Sequence, residues 1–133
     1  MKKKICIIIA NYYPKISKNL LIGATSELKK IKNITFKKIY VPGIFEIPFV
    51  ISKNLKFYDG FIALGCVIKG KTPHFDFISL STFNAIMHLS ITYKKPIGNG
   101  ILTCLNKKQS LERSNPKKKN KGGESAKALL AIL

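Results

Sequence analysis

The residues best suited to chemistry in this sequence lie in Leu64-Gly65-Cys66-Val67-Ile68-Lys69-Gly70-Lys71-Thr72-Pro73-His74-Phe75-Asp76. An apolar run from Phe61 to Ile68 leads into a glycine and two lysines, and Thr72-Pro73 then opens a long helix reaching Tyr93. Threonine suits the N-cap, and proline suits the first helical position, where its missing N–H costs nothing. Such a strand-to-helix turn leaves backbone N–H groups free and aims the positive end of a helix dipole outward, which favours an anion. Lys69 and Lys71 add charge, and His74, within the first turn, adds a group that moves protons near neutral pH. The indicated chemistry is acid–base work on a small anionic substrate.

Other residues offer more than one reading. Glu46 is one of six carboxylates and follows Pro42-Gly43-Ile44-Phe45. It suits accepting hydrogen bonds from hydroxyls or ring N–H groups, and equally suits compensating a helix N-terminus. Arg113 is the only arginine, and its planar fork matches a phosphate monoester or carboxylate, unless it merely pairs with Glu112 on a surface helix. The stretch Lys117–Gly123 reads as a basic loop whose lysines, Lys117 to Lys121, suit holding phosphate or simply being solvated. Cys66 and His74 lie close enough in sequence for a nucleophilic pair, but Cys66 reads as the inward end of a strand. His88, mid-helix in an apolar stretch, reads as structural. Two histidines and scattered carboxylates form no metal-ligand pattern, and no phosphate-binding glycine motif or serine-nucleophile motif is present.

Positioning these groups requires a scaffold, and the hydrophobic pattern supplies one. Strands read at Ile5–Ile9, Phe36–Val41, Phe61–Ile68 and Pro96–Thr103. Helices read at Ile16–Ile31, Ile44–Leu55 with an early break at Pro48, Thr72–Tyr93, Lys107–Ser114 and Glu124–Leu133. Strands that are apolar throughout, alternating with helices, imply a parallel sheet covered on both faces. The expected fold is a three-layer, doubly wound α/β domain of the flavodoxin-like kind with a four-stranded parallel sheet, spanning 1–133 as one domain. Ligands bind such folds beyond the carboxyl ends of the strands, which selects Asn11–Pro14, Pro42–Glu46, Lys69–His74 and Thr103–Asn106.

Composition narrows the class. A hydrophobic fraction of 46% argues against disorder, and no apolar run approaches a membrane span. The start, Met1-Lys2-Lys3-Lys4-Ile5, resembles a signal peptide but runs into Asn11-Tyr12-Tyr13-Pro14 without a cleavage pattern, so it reads as a buried strand. Three widely spaced cysteines suit free thiols in a reducing cytoplasm. The net charge of +18 invites a nucleic-acid reading, but 23 of 24 basic residues are lysines scattered over every segment without an aromatic-interleaved strip. Sequence-specific nucleic-acid recognition is therefore not expected; solvated charge that draws anions inward is.

Taken together, these segments resemble the 6,7-dimethyl-8-ribityllumazine synthase family over nearly the whole chain. Val41-Pro42-Gly43-Ile44-Phe45-Glu46-Ile47-Pro48 is similar to the family's V-P-G-a-F-E-I-P, and Leu64–Asp76 is similar to L-G-x-V-I-R-G-x-T-x-H-F-D. Gly100-Ile101-Leu102-Thr103, Gln109, Glu112-Arg113 and Asn120-Lys121-Gly122 follow in order. The resemblance implies condensation of a ribitylaminouracil amine with 3,4-dihydroxy-2-butanone 4-phosphate, with no metal or organic cofactor. It implies that His74 transfers protons, that Lys71 and Thr72 form the phosphate-holding turn and that Arg113 binds phosphate. Cys66, Val67 and Ile68 would line the pyrimidine, and Ile44, Phe45 and Glu46 would receive the pyrimidine and ribityl chain. Tyr12 would stack on the heterocycle and Lys121 would lie near the substrates.

Three positions depart from the family pattern. Tyr13 replaces a usual asparagine, Lys69 replaces an arginine and loses its fork, and Asn99 stands where many members carry a phenylalanine supplied by the neighbouring subunit. The resemblance also implies a pentamer, or a multiple of it, with sites between subunits. The start close to the first strand and the lack of an insertion at Asn115–Asn120 point to different multiples. A non-catalytic relative that keeps the pocket is the alternative that Tyr13 and Asn99 leave open.

Overall fold

The structure, a computed structural model, describes residues 2–133. Four strands form one parallel sheet in the order β2-β1-β3-β4: β1 (Lys3–Ala10), β2 (Ile34–Val41), β3 (Gly60–Ile68) and β4 (Ile97–Cys104). β1 runs in register with β2 from Lys3↔Ile34 to Ala10↔Val41, and β3 with β4 from Phe61↔Ile97 to Ile68↔Cys104. The two central strands are solid with Ile, Leu, Ala and Cys because both of their faces are covered.

Alternation along these strands sorts the core into two layers. Ile5, Ile7, Ile9, Ile62, Leu64 and Cys104 pack with α1 (Pro14–Lys29) and α5 (Lys121–Ile132) on one face. Cys6, Ile8, Phe61, Ala63 and Ile101 pack with α2 (Ile47–Asn54) and α3 (His74–Tyr93) on the other. The short α4 (Lys107–Ser114) closes the first layer through Leu111. The expected three-layer α/β architecture is what the chain adopts.

Several element boundaries differ from the sequence reading, each for a local reason. α3 begins at His74, not Thr72: Pro73 occupies the N-cap with no side-chain cap, and Thr72 stays outside the helix. Pro48 does not interrupt its helix. A single 3-10 turn, Ile44–Glu46, precedes α2, and Pro48 sits in α2's first turn, where no helical hydrogen bond is lost. α1 ends at Lys29, leaving Ile31 outside and 44% exposed. α5 starts at Lys121 rather than Glu124, so Lys121-Gly122-Gly123 belongs to a helix and not to a basic loop. Asn120, at φ 48°, accepts the Gly123 N–H at 3.2 Å and starts it. Gly122 faces the α1 backbone so closely that a Cβ would collide with the Leu20 carbonyl. His88 is exposed, not packed.

Candidate functional site

Parallel strands bring every carboxyl end to one edge of the sheet, and backbone hydrogen bonds hold the loops that leave it. The Asn11 N–H donates to the Val41 carbonyl and the Lys69 N–H to the Cys104 carbonyl, both at 2.9 Å. Between the ends of β1, β2 and β3 lies a cavity of about 380 Å³. Its walls are Tyr12 and Tyr13 after β1, Pro42 to Glu46 after β2, Cys66 to Ile68 of β3, and His74 and Ile78 of α3. Phe45, His74 and Ile78 also border an adjoining cavity with Phe77 and Ser81. A larger groove of about 690 Å³ between α1 and β2 contains none of the predicted site residues. The strand-end cavity is the candidate site because carboxylate, imidazole and phenol groups converge there.

The Pro42–Glu46 turn is built tightly. The Gly43 N–H donates to Glu46 Oε1 at 2.9 Å and the Glu46 N–H to the Gly43 carbonyl at 3.3 Å. One Glu46 carboxylate oxygen therefore caps the turn at Gly43, as the helix-terminus reading expects, and the residue also lines the cavity. Gly65 explains how the turn comes so close to β3. A Cβ there would stand 2.8 Å from Ile44 Cγ2 and 3.0 Å from Ala10 Cβ, so only glycine lets Ile44 reach the strand.

Cys66 Sγ donates to Ser110 Oγ at 3.3 Å. Burial pushes this thiol up to about 11, against a smaller downward pull from the Ser110 hydrogen bond. A protonated, hydrogen-bonded thiol is a wall and not a nucleophile, which sets aside the Cys66–His74 pair. The Tyr13 hydroxyl is also raised, by burial first and then by Tyr12 and Cys66. The Tyr12 and Tyr13 rings meet edge to face at 4.9 Å, with Tyr12 69% exposed as a platform at the mouth.

His74 is exposed as the first residue of α3, beside the turn Lys69–Pro73. Among the described residues nothing accepts from the backbone N–H groups of Gly70, Lys71 and Thr72, and Lys71 and Thr72 lie outside the cavity walls. The remaining predicted residues sit elsewhere. Asn99, Arg113 and Lys121 border a separate groove of about 370 Å³ along the outer edge of β4, with Lys121 Nζ 2.9 Å from Glu124 Oε2. Asn99 Oδ1 accepts the Ile101 N–H at 3.0 Å. One chain thus assembles Tyr12, Ile44, Phe45, Glu46, Cys66, Val67, Ile68 and His74 in one place and Asn99, Arg113 and Lys121 in another.

Tyr13, Pro42, Gly43 and Ile78 line the cavity without having been predicted as site residues. Adjacency to Tyr12 and the loop rule were signals for the first three; Ile78 follows His74 by one helical turn. Among the described residues no group of three or more His, Cys, Asp or Glu could hold a metal ion, and no helix is long and apolar enough to cross a membrane.

The family profile described as 6,7-dimethyl-8-ribityllumazine synthase matches residues 2–133. A protein of that name from Bartonella tribocorum is 44% identical, with 100% of this chain and 91% of the relative covered. Another from Buchnera aphidicola subsp. Schizaphis graminum is 46% identical over 97% of this chain and 84% of its own length. 6,7-Dimethyl-8-ribityllumazine synthase 1 of Rhodopseudomonas palustris is 40% identical over 98% and 83%. With matching motifs, fold and full-length similarity in hand, the chain belongs to the 6,7-dimethyl-8-ribityllumazine synthase family.

Proposed function

We propose that this chain, working as one domain, condenses 5-amino-6-(D-ribitylamino)uracil with 3,4-dihydroxy-2-butanone 4-phosphate. The products are 6,7-dimethyl-8-ribityllumazine, phosphate and water, in the penultimate step of riboflavin biosynthesis. The observation that carries this reading is the cavity at the strand ends, where Glu46, His74 and the Tyr12–Tyr13 pair converge. The uracil ring stacks against Tyr12 and lies along Cys66–Ile68, and the ribityl hydroxyls donate to the Glu46 carboxylate. The uracil's 5-amino nitrogen attacks the ketone, water leaves to give an imine, and phosphate then departs. The ribitylamino nitrogen closes the second ring, and a second water is lost. His74 carries protons between nitrogen and carbon in these steps, and holding two reactants in one cavity supplies much of the acceleration.

Phosphate is held by the free N–H groups of the Lys71–Thr72 turn and by Arg113, with Lys121 near the substrates and Asn99 closing over the heterocycle. Because Arg113 lines a different surface of the same chain, these three come from a second copy. The exposed face of α3 supports assembly: Phe77, Leu80, Met87 and Ile91 are all more than 60% exposed and recur at heptad spacing. The assembly is a homopentamer or a multiple of it, in the cytoplasm, where the buried free thiols Cys6, Cys66 and Cys104 stay reduced.

Mixing both substrates with the protein and following the fluorescent lumazine tests the reaction. Product forming no faster than in the uncatalysed mixture overturns it. Native mass measurement of wild type and Met87→Glu tests the assembly. A mass of five chains or a multiple is expected, falling to smaller species in the variant.

A further inference from the structure

The lysines look scattered in sequence, but the parallel topology gathers many of them at the sheet edge opposite the candidate site. Every strand starts there, and α1, α2 and α3 all end there. The chain start contributes Lys2, Lys3 and Lys4, and the end of α1 contributes Lys29, Lys30 and Lys32. Lys53 and Lys56 follow from the end of α2, and Lys94 and Lys95 from the end of α3. Short contacts bind the set into one surface: the Lys4 N–H donates to Asp59 Oδ2 at 2.8 Å and Lys95 Nζ to the Tyr58 carbonyl at 3.0 Å.

Against these ten lysines the same edge holds two acidic side chains, Glu27 and Asp59. Only Lys30 pairs with a carboxylate, Glu27 at 2.9 Å, among the described residues. Lys29 and Lys53 lie in the last turns of their helices and Lys94 is the C-cap of α3, so each answers a negative helix end, but Lys2, Lys32 and Lys56 lie outside any helix and its caps, all exposed. Two aromatic rings stand in this field: Phe57, 64% exposed, follows Lys56, and Tyr93, 55% exposed, precedes Lys94. Tyr93 points roughly 150° away from the Phe77–Ile91 stripe at 100° per residue, so it is not part of that apolar face. Exposed rings among unpaired cations are what a single-stranded nucleic acid requires: cations for the phosphates, rings for the bases.

We propose that the strand-start pole binds single-stranded nucleic acid without sequence preference, its lysines on phosphates and Phe57 and Tyr93 stacked on bases. The surface is remote from the strand-end cavity, so binding is independent of the lumazine-forming reaction.

The test follows anisotropy of a fluorescein-labelled oligothymidylate of about 20 nucleotides as assembled wild-type protein is added, from about 50 to 300 mM KCl. Binding is expected to weaken with salt, with a log–log slope of about −2 or steeper, equivalent to three or more phosphates. Lys32→Glu/Lys53→Glu/Lys56→Glu should weaken binding about tenfold or more at low salt. Lys107→Glu/Lys108→Glu/Lys117→Glu, which changes net charge equally at the opposite edge, should stay within about threefold. Phe57→Ala and Tyr93→Ala should each cost about fivefold while leaving the salt slope alone. Unchanged unfolding midpoints verify that each variant is folded. No binding at low salt, or equal losses in the two lysine triples, overturns the assignment. So does indifference to both aromatic substitutions together with equally tight binding of heparin, which has charge but no bases.

Discussion

The Cys66 thiol and the Ser110 hydroxyl, 3.3 Å apart, join the floor of the strand-end cavity to the helix whose last turn carries Arg113. One hydrogen bond thus links a wall of the cavity to the helix that presents Arg113 to the groove along β4.

Arg113→Ala should act selectively. Loss of a charge-assisted pair to phosphate removes roughly 1.5–3 kcal/mol, or about tenfold to a hundredfold in apparent affinity. Steady-state kinetics should show that rise in KM for the phosphorylated ketone and less than about threefold for the uracil. Equal effects on both substrates would remove Arg113 from the phosphate.

Glu46 separates stability from binding. Glu46→Gln keeps an acceptor for the Gly43 N–H, so its unfolding free energy should stay within about 0.5 kcal/mol of wild type while the KM for the ribitylamino substrate rises. Glu46→Ala leaves that N–H without its side-chain partner and should cost about 1 kcal/mol in addition. Urea unfolding and substrate titration measure the two effects separately.

The two perturbed thiols set an alkaline limit. Burial raises Cys6 to about 12 and Cys66 to about 11, from an ordinary value of 9.0. Both folded-state values lie above the unfolded one, so the folded chain holds protons that the unfolded chain releases. The stabilisation is complete below about pH 9 and is lost as pH climbs through about 11 and then 12. Unfolding midpoints should fall over that range, and iodoacetamide should leave Cys6 and Cys66 largely unmodified at neutral pH.

Two glycines should respond oppositely to the same change. Gly122→Ala drives a methyl into the Leu20 carbonyl and should cost about 2 kcal/mol or more, because backbone on both sides must move. Gly70→Ala meets nothing within 4 Å and should be neutral or slightly stabilising. Thermal unfolding of both variants distinguishes a packing glycine from a loop glycine.

The strands and layers were legible because buried parallel strands leave an unmistakable apolar run, as in Gly60–Ile68. The cavity was legible in part: the loop rule found the walls after β1 and β2 and His74, but Thr103–Asn106, which it also selected, lines none of it. The start of α5 was not. Gly122-Gly123 carries low helix propensity, and only the approach of α1 and the Asn120 cap make a helix there favourable. Thr72 and Pro73 compete for the same cap, and local preference did not reveal which residue would take it. The lysines posed a different difficulty: which of them are neighbours is decided by strand order, a property that no window of sequence contains.

The placement of His74 and Arg113 on separate surfaces has a genetic consequence. On the proposed reading, a His74→Ala chain and an Arg113→Ala chain are each defective alone, yet each still carries the half that the other lacks. Co-assembled at random in equal amounts, they should form about a quarter of their sites from two intact halves. Two impaired preparations, unfolded together and refolded as a mixture, would then exceed the summed activity of the two at subsaturating ketone.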